Sequence, residues 1–274
     1  MCKSLISAFL LLILFGCSNV THLDNKIDYS NNLLIPSIEF TVIKTYPHDP
    51  ESFTEGLAFH DNQLFESTGF WDQFPYTRSV LGPIDLNTGK IIVKVELDKE
   101  KYFGEGITYL NNKIYQLTWK NQLGFIYDSK TFRQIGSFKF SNKEGWGLTT
   151  DGVNIIISDG TNIITYLDPD SLKVIKTLNV TFKGSPMWNL NELEYIKGNL
   201  YANIFWTSKI VEIDPKTGII TGIIDLNTLF EDANKIFPLS NLTNGIAYDS
   251  STDKIYVTGK FWPIIYQIKL KSKK

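Results

Sequence analysis

Residues 55–69 read EGLAFHDNQLFESTG, an alternating run, a turn pair at Asp61-Asn62, and a second apolar and aromatic run. A period of two on either side of a pair that tolerates positive φ signals a tight β-hairpin. The plan returns as EGITYLNNKIYQLTW (105–119), WGLTTDGVNIIISDG (146–160), NELEYIKGNLYANIF (191–205) and NGIAYDSSTDKIYVTGK (244–260), the last with two extra turn residues. Its turn pairs there are Asn111-Asn112, Asp151-Gly152 and Lys197-Gly198. The units begin 50, 41, 45 and 53 residues apart, which is the spacing of propeller blades.

Two further strands follow each hairpin. In the second unit they are GFIYD and QIGSFKF; in the fourth, KIVEIDP and IITGIIDL around Lys216-Thr217-Gly218. No segment reads convincingly as a helix. The fifth unit has a third strand at 264–270 and then the chain ends, while residues 38–45 form an unclaimed strand at the other end. Pairing these two closes the ring and removes exposed sheet edges. The expected fold is therefore all-β: a five-bladed β-propeller of four-stranded antiparallel blades, the last closed by an N-terminal strand. A two-sheet sandwich is the alternative, and regular repeats with shared turn chemistry argue against it.

The 274 residues are 43% hydrophobic and 14% aromatic, enough for one large all-β core. With 27 basic against 29 acidic side chains there is no basic excess to favour a nucleic-acid partner. Residues 5–15 are almost wholly apolar and lead into Leu14-Phe15-Gly16-Cys17, a run similar to a bacterial lipoprotein signal. The expected organisation is a signal peptide at 1–16, lipidation of Cys17, a tether at 17–37 and a catalytic propeller at 38–274. That implies an exported, membrane-anchored lipoprotein facing the periplasm or cell exterior. Phe15 departs from the usual signal, so a plain secretory signal is the alternative. Cys2 and Cys17 are the only cysteines, so the mature domain has no disulfide or thiolate nucleophile. The three histidines, His22, His48 and His60, are scattered, and no metal site is expected.

In a hairpin the start of the first strand lies beside the end of the second. The innermost strand of each blade lines the central channel, so the repeat's first and last columns should meet at one mouth. The first column is Glu55, Glu105, Trp146, Asn191 and Asn244; the last is Gly69, Trp119, Gly160, Phe205 and Lys260. Two carboxylates, two amides, one ammonium and three aromatics thus converge. Leu57, Ile107, Leu148, Leu193 and Ile246 occupy interior columns and read as core. A small polar-aromatic pocket of this kind suits a peptide end.

The runs YPHDPESFTEGL, LFESTG, FGEGITYLNNKIYQLTW, EGWGLTTDG, LNELEYI and YVTGKFWP, in this order over residues 40–270, resemble the plant and bacterial glutaminyl cyclases. That family is a five-bladed propeller unrelated to the animal zinc enzyme. The resemblance implies cyclisation of an N-terminal Gln of peptides or proteins to pyroglutamate, with release of ammonia. By the same resemblance Glu105 is the general acid/base, and Lys260 stabilises negative charge on the carbonyl oxygen or holds Glu105 ionised. Trp119 and Trp146 are pocket aromatics, Asn191 a binding amide, and Phe53 an aromatic ahead of the first repeat. Glu55, Phe205 and Asn244 complete the expected substrate-binding set.

The chain departs from the family in Glu55, where Gln is usual, and in Phe205, where Trp is usual. Trp206 is expected to point to the other face of a regular strand, and residues 70–78 read as a lid. No cofactor is required by the resemblance, a structural cation in the channel is compatible with the sequence, and a monomer is expected. A non-catalytic peptide-binding propeller lipoprotein of the cell envelope is the second reading. A calcium-dependent lactonase-like hydrolase is the third, and Lys260 at the rim argues against it.

Overall fold

The computed structural model describes residues 36–271. The expected signal peptide, Cys17 and the tether up to residue 35 lie outside the described residues. Pro36 and Ser37, the last of the expected tether, run along the outer strand of the fourth blade: Ile223 N donates to Pro36 O, and Ser37 bridges Ile223.

Five four-stranded antiparallel sheets follow one another, as the repeats require. The first comprises Thr54–His60, Gln63–Thr68, Val80–Pro83 and Val95–Glu96, and the second Gly104–Leu110, Lys113–Thr118, Leu123–Asp128 and Gln134–Lys139. The third has Leu148–Thr150, Ile155–Ile157, Ile163–Leu167 and Val174–Asn179; the fourth Leu190–Ile196, Asn199–Ile204, Lys209–Ile213 and Ile220–Asp225. In the fifth, Thr243–Asp249, Lys254–Gly259 and Ile264–Leu270 are completed by Phe40–Pro47, with Phe40 opposite Leu270 and Pro47 opposite Ile264. The closing strand is thus two residues later than expected, and Ile38 is a core residue instead. The first strands of the five blades touch one another in a closed cycle.

The hairpin chemistry is visible in the backbone. Asp61, Asn62, Asn111, Asn112, Lys197 and Gly198 all have positive φ, the requirement of the primed two-residue turns. The third unit differs. Its strands stop at Thr150 and restart at Ile155, and the Asp151 carboxylate accepts the N–H groups of Val153 and Asn154. That connection is a four-residue loop rather than the expected Asp151-Gly152 pair.

Leu57, Ile107, Leu148, Leu193 and Ile246 are all buried, packed between neighbouring blades. Each such side chain contributes roughly 1.5–3 kcal/mol by leaving water. The residue after the rim column is Gly in four units: at Gly56, Gly106 and Gly147 the inner strands approach too closely for a side chain, and Gly245 has φ +122°. A Cβ on Gly147, for example, would lie 2.2 Å from Asn191 O. The fourth unit has Glu192 there, and its buried carboxylate accepts Ile246 N at 2.8 Å and Leu57 N at 3.3 Å. One side chain thus ties together the first, fourth and fifth blades.

One helix, Asn227–Ile236, overturns the expectation of none. Leu226, Leu229, Phe230 and Ala233 follow a helical period and lie against the cluster holding Trp262 and Tyr266. Ten residues without a side-chain N-cap form no stable helix alone. Burial of this face supplies what local propensity does not.

Candidate active site

The inner strands are irregular at the rim column. Strand register slips between Thr54 and Gly56, Gly104 and Ile107, Leu190 and Leu193, and Thr243 and Ile246. These are β-bulges, which leave a residue unpaired and re-aim its side chain. Glu55, Glu105, Asn191 and Asn244 all sit in them.

Eight of the nine sequence-derived site residues line one pocket of about 300 Å³: Phe53, Glu55, Glu105, Trp119, Trp146, Asn191, Phe205 and Lys260. Asn244 does not. It is fully buried behind Glu55, donating from Nδ2 to Thr54 O at 2.9 Å and to Glu55 Oε2 at 3.3 Å. It supports the wall and does not form it.

Lys260 is directed at Glu55. Its Nζ donates to both carboxylate oxygens, at 2.6 and 2.7 Å, and lies 4.4 Å above the Phe53 ring. Burial pushes the Glu55 carboxyl up to about 7, with the Lys260 ammonium opposing it. Once Glu55 is ionised the pair carries little net charge into the pocket.

Glu105 is 5% exposed, and its side chain accepts no hydrogen bond among the described residues. Burial first, then the neighbouring Glu55 charge and a smaller push from Glu144, hold its carboxyl well above the ordinary range; Lys260 works against them. A buried carboxyl that favours its proton and has no protein partner is poised for a ligand. Asn191 also has a buried side-chain oxygen without a partner among the described residues, an acceptor whose hydrogen bond a ligand can supply.

The aromatic walls are pinned. Glu144 Oε2 accepts the indole N–H groups of Trp119 at 2.7 Å and Trp146 at 2.8 Å. One carboxylate outside the repeat columns thus fixes two rings from adjacent blades. Gly160, at φ +77°, makes room for Trp146, whose ring would lie 2.6 Å from a Cβ there. Phe205 meets Trp146 edge-on at 5.3 Å.

The sequence reading missed Glu144, Trp71, Phe103, Trp206, Asn241 and Leu242, the last five of which also line the pocket. Glu144 stands in EGWGLTTDG and Phe103 in FGEG, so their motifs were in view but their columns were not. Trp71 belongs to the stretch expected as a lid. That stretch is a built turn: Thr77 Oγ1 donates to Phe74 O and accepts Trp71 N, and Trp71 lies 5.0 Å from Phe53. Trp206 was expected on the opposite face. The strand ends at Ile204 and Trp206 has φ +68°, so strand alternation no longer applies and the ring turns to the pocket.

A family model described as glutamine cyclotransferase matches residues 11–270. The chain is 40% identical over 235 residues to the glutaminyl-peptide cyclotransferase of Arabidopsis thaliana, covering 85% of this chain and 72% of that protein. The crystal structure of Myxococcus xanthus glutaminyl cyclase superposes with a TM-score of 0.78 at 31% identity, over 87% of this chain and 99% of that one. A five-bladed ring, a rim pocket built from the bulged columns, and these matches over nearly the whole propeller agree: the chain belongs to the glutamine cyclotransferase family.

Proposed function

We propose that this chain is a glutaminyl-peptide cyclotransferase, closing the N-terminal Gln of peptides into pyroglutamate with release of ammonia. The observation that carries the reading is the Glu105 carboxyl, buried, inclined to hold its proton and unpartnered, facing a pocket walled by Trp119, Trp146 and Asn191.

In this reaction the α-amine nitrogen bonds to the side-chain carboxamide carbon, and the bond from that carbon to the amide nitrogen breaks. The attacking nitrogen loses one proton and the leaving nitrogen gains one. A protonated carboxyl does both: one oxygen delivers its proton to the departing nitrogen while the other takes the amine's. Glu105 begins and ends the cycle protonated, which suits its raised proton affinity. Lys260 spends two N–H groups on Glu55, and its third is available to the carboxamide oxygen as charge develops there. The pinned aromatic walls hold the glutamine side chain folded over its own amine. Such intramolecular positioning supplies much of the rate.

The test is to incubate the folded chain with a Gln-initiated peptide and follow loss of ammonia by mass. Glu105→Gln should lower kcat by about 10²–10⁴-fold, the range for a positioned acid/base group, without lowering Tm. No ammonia loss by folded wild-type protein refutes the function, and retained turnover in Glu105→Gln moves the acid/base role elsewhere.

Export and lipid anchoring at Cys17 are part of the proposal, supported by the apolar run at 5–15 and the following Gly16-Cys17; action as a monomer without a cofactor is proposed with them. Cys17→Ala should release the protein from the membrane fraction; unchanged membrane retention refutes the anchor.

A further inference from the structure

Trp206 is the one pocket-lining side chain that stands mostly in solvent, 72% exposed, whereas Glu105 lies deep in the same pocket. Its backbone is in the left-handed region at φ +68°, which is unfavourable for a bulky side chain. The turn holds it there from both sides. Phe205 N donates to Asn189 O at 2.9 Å, Thr207 N to Ile204 O at 3.1 Å, Thr243 Oγ1 to Thr207 O at 3.0 Å and Leu226 N to Ser208 O at 2.7 Å. Its aromatic neighbour is the Phe205 ring, 4.6 Å away, and Phe205 meets Trp146 in turn. Three rings of the pocket lining therefore run in series, and the last of them is mostly exposed.

A mostly exposed indole returns little to the fold in exchange for a strained backbone. Strain maintained by surrounding hydrogen bonds at a pocket points to a ligand. If the first residue's amine and carboxamide lie at Glu105, the peptide leaves outward, and the second side chain arrives at the mouth. We propose that Trp206 is a specificity-determining residue that stacks on the side chain of the substrate's second residue and selects aromatic or large apolar groups there. This rests on the cyclisation reading of the same pocket. An aromatic pair of this kind is worth about 3- to 10-fold in affinity beyond plain burial.

The test compares kcat/KM for Gln-Phe-amide and Gln-Gly-amide in wild type, Trp206→Gly and Trp206→Phe. Glycine adopts positive φ without strain, so Trp206→Gly deletes the ring while leaving the turn its conformation. Wild type should favour the Phe substrate by at least about 3- to 10-fold, since burial of the ring adds to the stacking gain, expressed in KM rather than kcat. Trp206→Gly should bring the ratio close to one with Tm no lower than wild type, and Trp206→Phe should keep part of the preference. A wild-type ratio near one overturns the inference, as does an unaltered ratio in Trp206→Gly. Equal losses on both substrates with a fallen Tm would assign Trp206 a structural role instead. If wild type cyclises neither peptide, the cyclisation reading itself fails and this inference goes with it. A ratio that fails while the Gly substrate turns over condemns the Trp206 role alone.

Discussion

Replacing Glu55 by Gln tests the electrostatics on which the site depends. In the wild-type pocket the Lys260 ammonium is neutralised by two short contacts to Glu55, and Glu105 is pushed up by burial and by the Glu55 charge. Glu55→Gln removes the like charge and leaves the cation uncompensated, and both changes favour ionised Glu105. Both act to lower the proton affinity of the Glu105 carboxyl. Since the mechanism uses the protonated carboxyl, the descending limb of the kcat/KM profile should move to lower pH. Lys260→Met removes the attraction on Glu105 but also the cation that keeps buried Glu55 ionised, so the two effects oppose each other and the same limb should move less than in Glu55→Gln. The assay is ammonia release from Gln-Gly-amide across the pH range, with folding checked by Tm. Breaking a buried ion pair costs about 3–5 kcal/mol, and the amide oxygen of Gln, which still accepts from Lys260, keeps the loss near the lower figure. A limb that stays in place or moves to higher pH in Glu55→Gln refutes the reasoning.

Three further outcomes follow from named contacts. Glu144→Ala leaves the Trp119 and Trp146 indole N–H groups without their shared acceptor; KM for Gln peptides should rise by about 10-fold or more as two rings loosen, and an unchanged KM rejects the pinning role. Gly147→Ala drives a Cβ to 2.2 Å from Asn191 O, where backbone must move, so thermal unfolding should come several degrees earlier, whereas an unmoved Tm would contradict the close inner ring. Glu55, Glu192 and Glu194 hold protons more tightly folded than unfolded, chiefly through burial. Their stabilising contribution is full below the ordinary carboxylate pKa and is lost as pH rises through the folded values, about 7 for Glu55. His48, where burial opposes the proton and Glu66 overcomes it, acts in the same direction. Lowered carboxyls such as Asp249 act only at more acidic pH, so Tm should fall between pH 5.5 and 8; a rise over that interval counts against the assignment.

Much of the ring could be read before any coordinates. Asp61-Asn62, Asn111-Asn112 and Lys197-Gly198 announce hairpins because few residues tolerate the φ those turns need, and alternation marks the strands between them. Five such units at blade spacing dictate a closed ring, and hairpin geometry alone brings the rim columns to one mouth. The helix at Asn227–Ile236 escaped because its ten residues are helical only through burial against Trp262 and Tyr266.

Within the site, the sequence by itself determined which residue types meet: Glu105, Trp119, Trp146, Asn191, Phe205 and Lys260, each carried by a periodic column. Only the tertiary structure decided who pairs with whom. Lys260 chooses Glu55 over Glu105, Asn244 withdraws behind the wall, Glu144 reaches in from outside the repeat, and Trp206 turns inward on a left-handed backbone. The physical reason is range. Turn and strand preferences are local and repeat with the chain, whereas ion pairs, bulge directions and ring contacts depend on neighbouring blades, whose spacing no local pattern encodes.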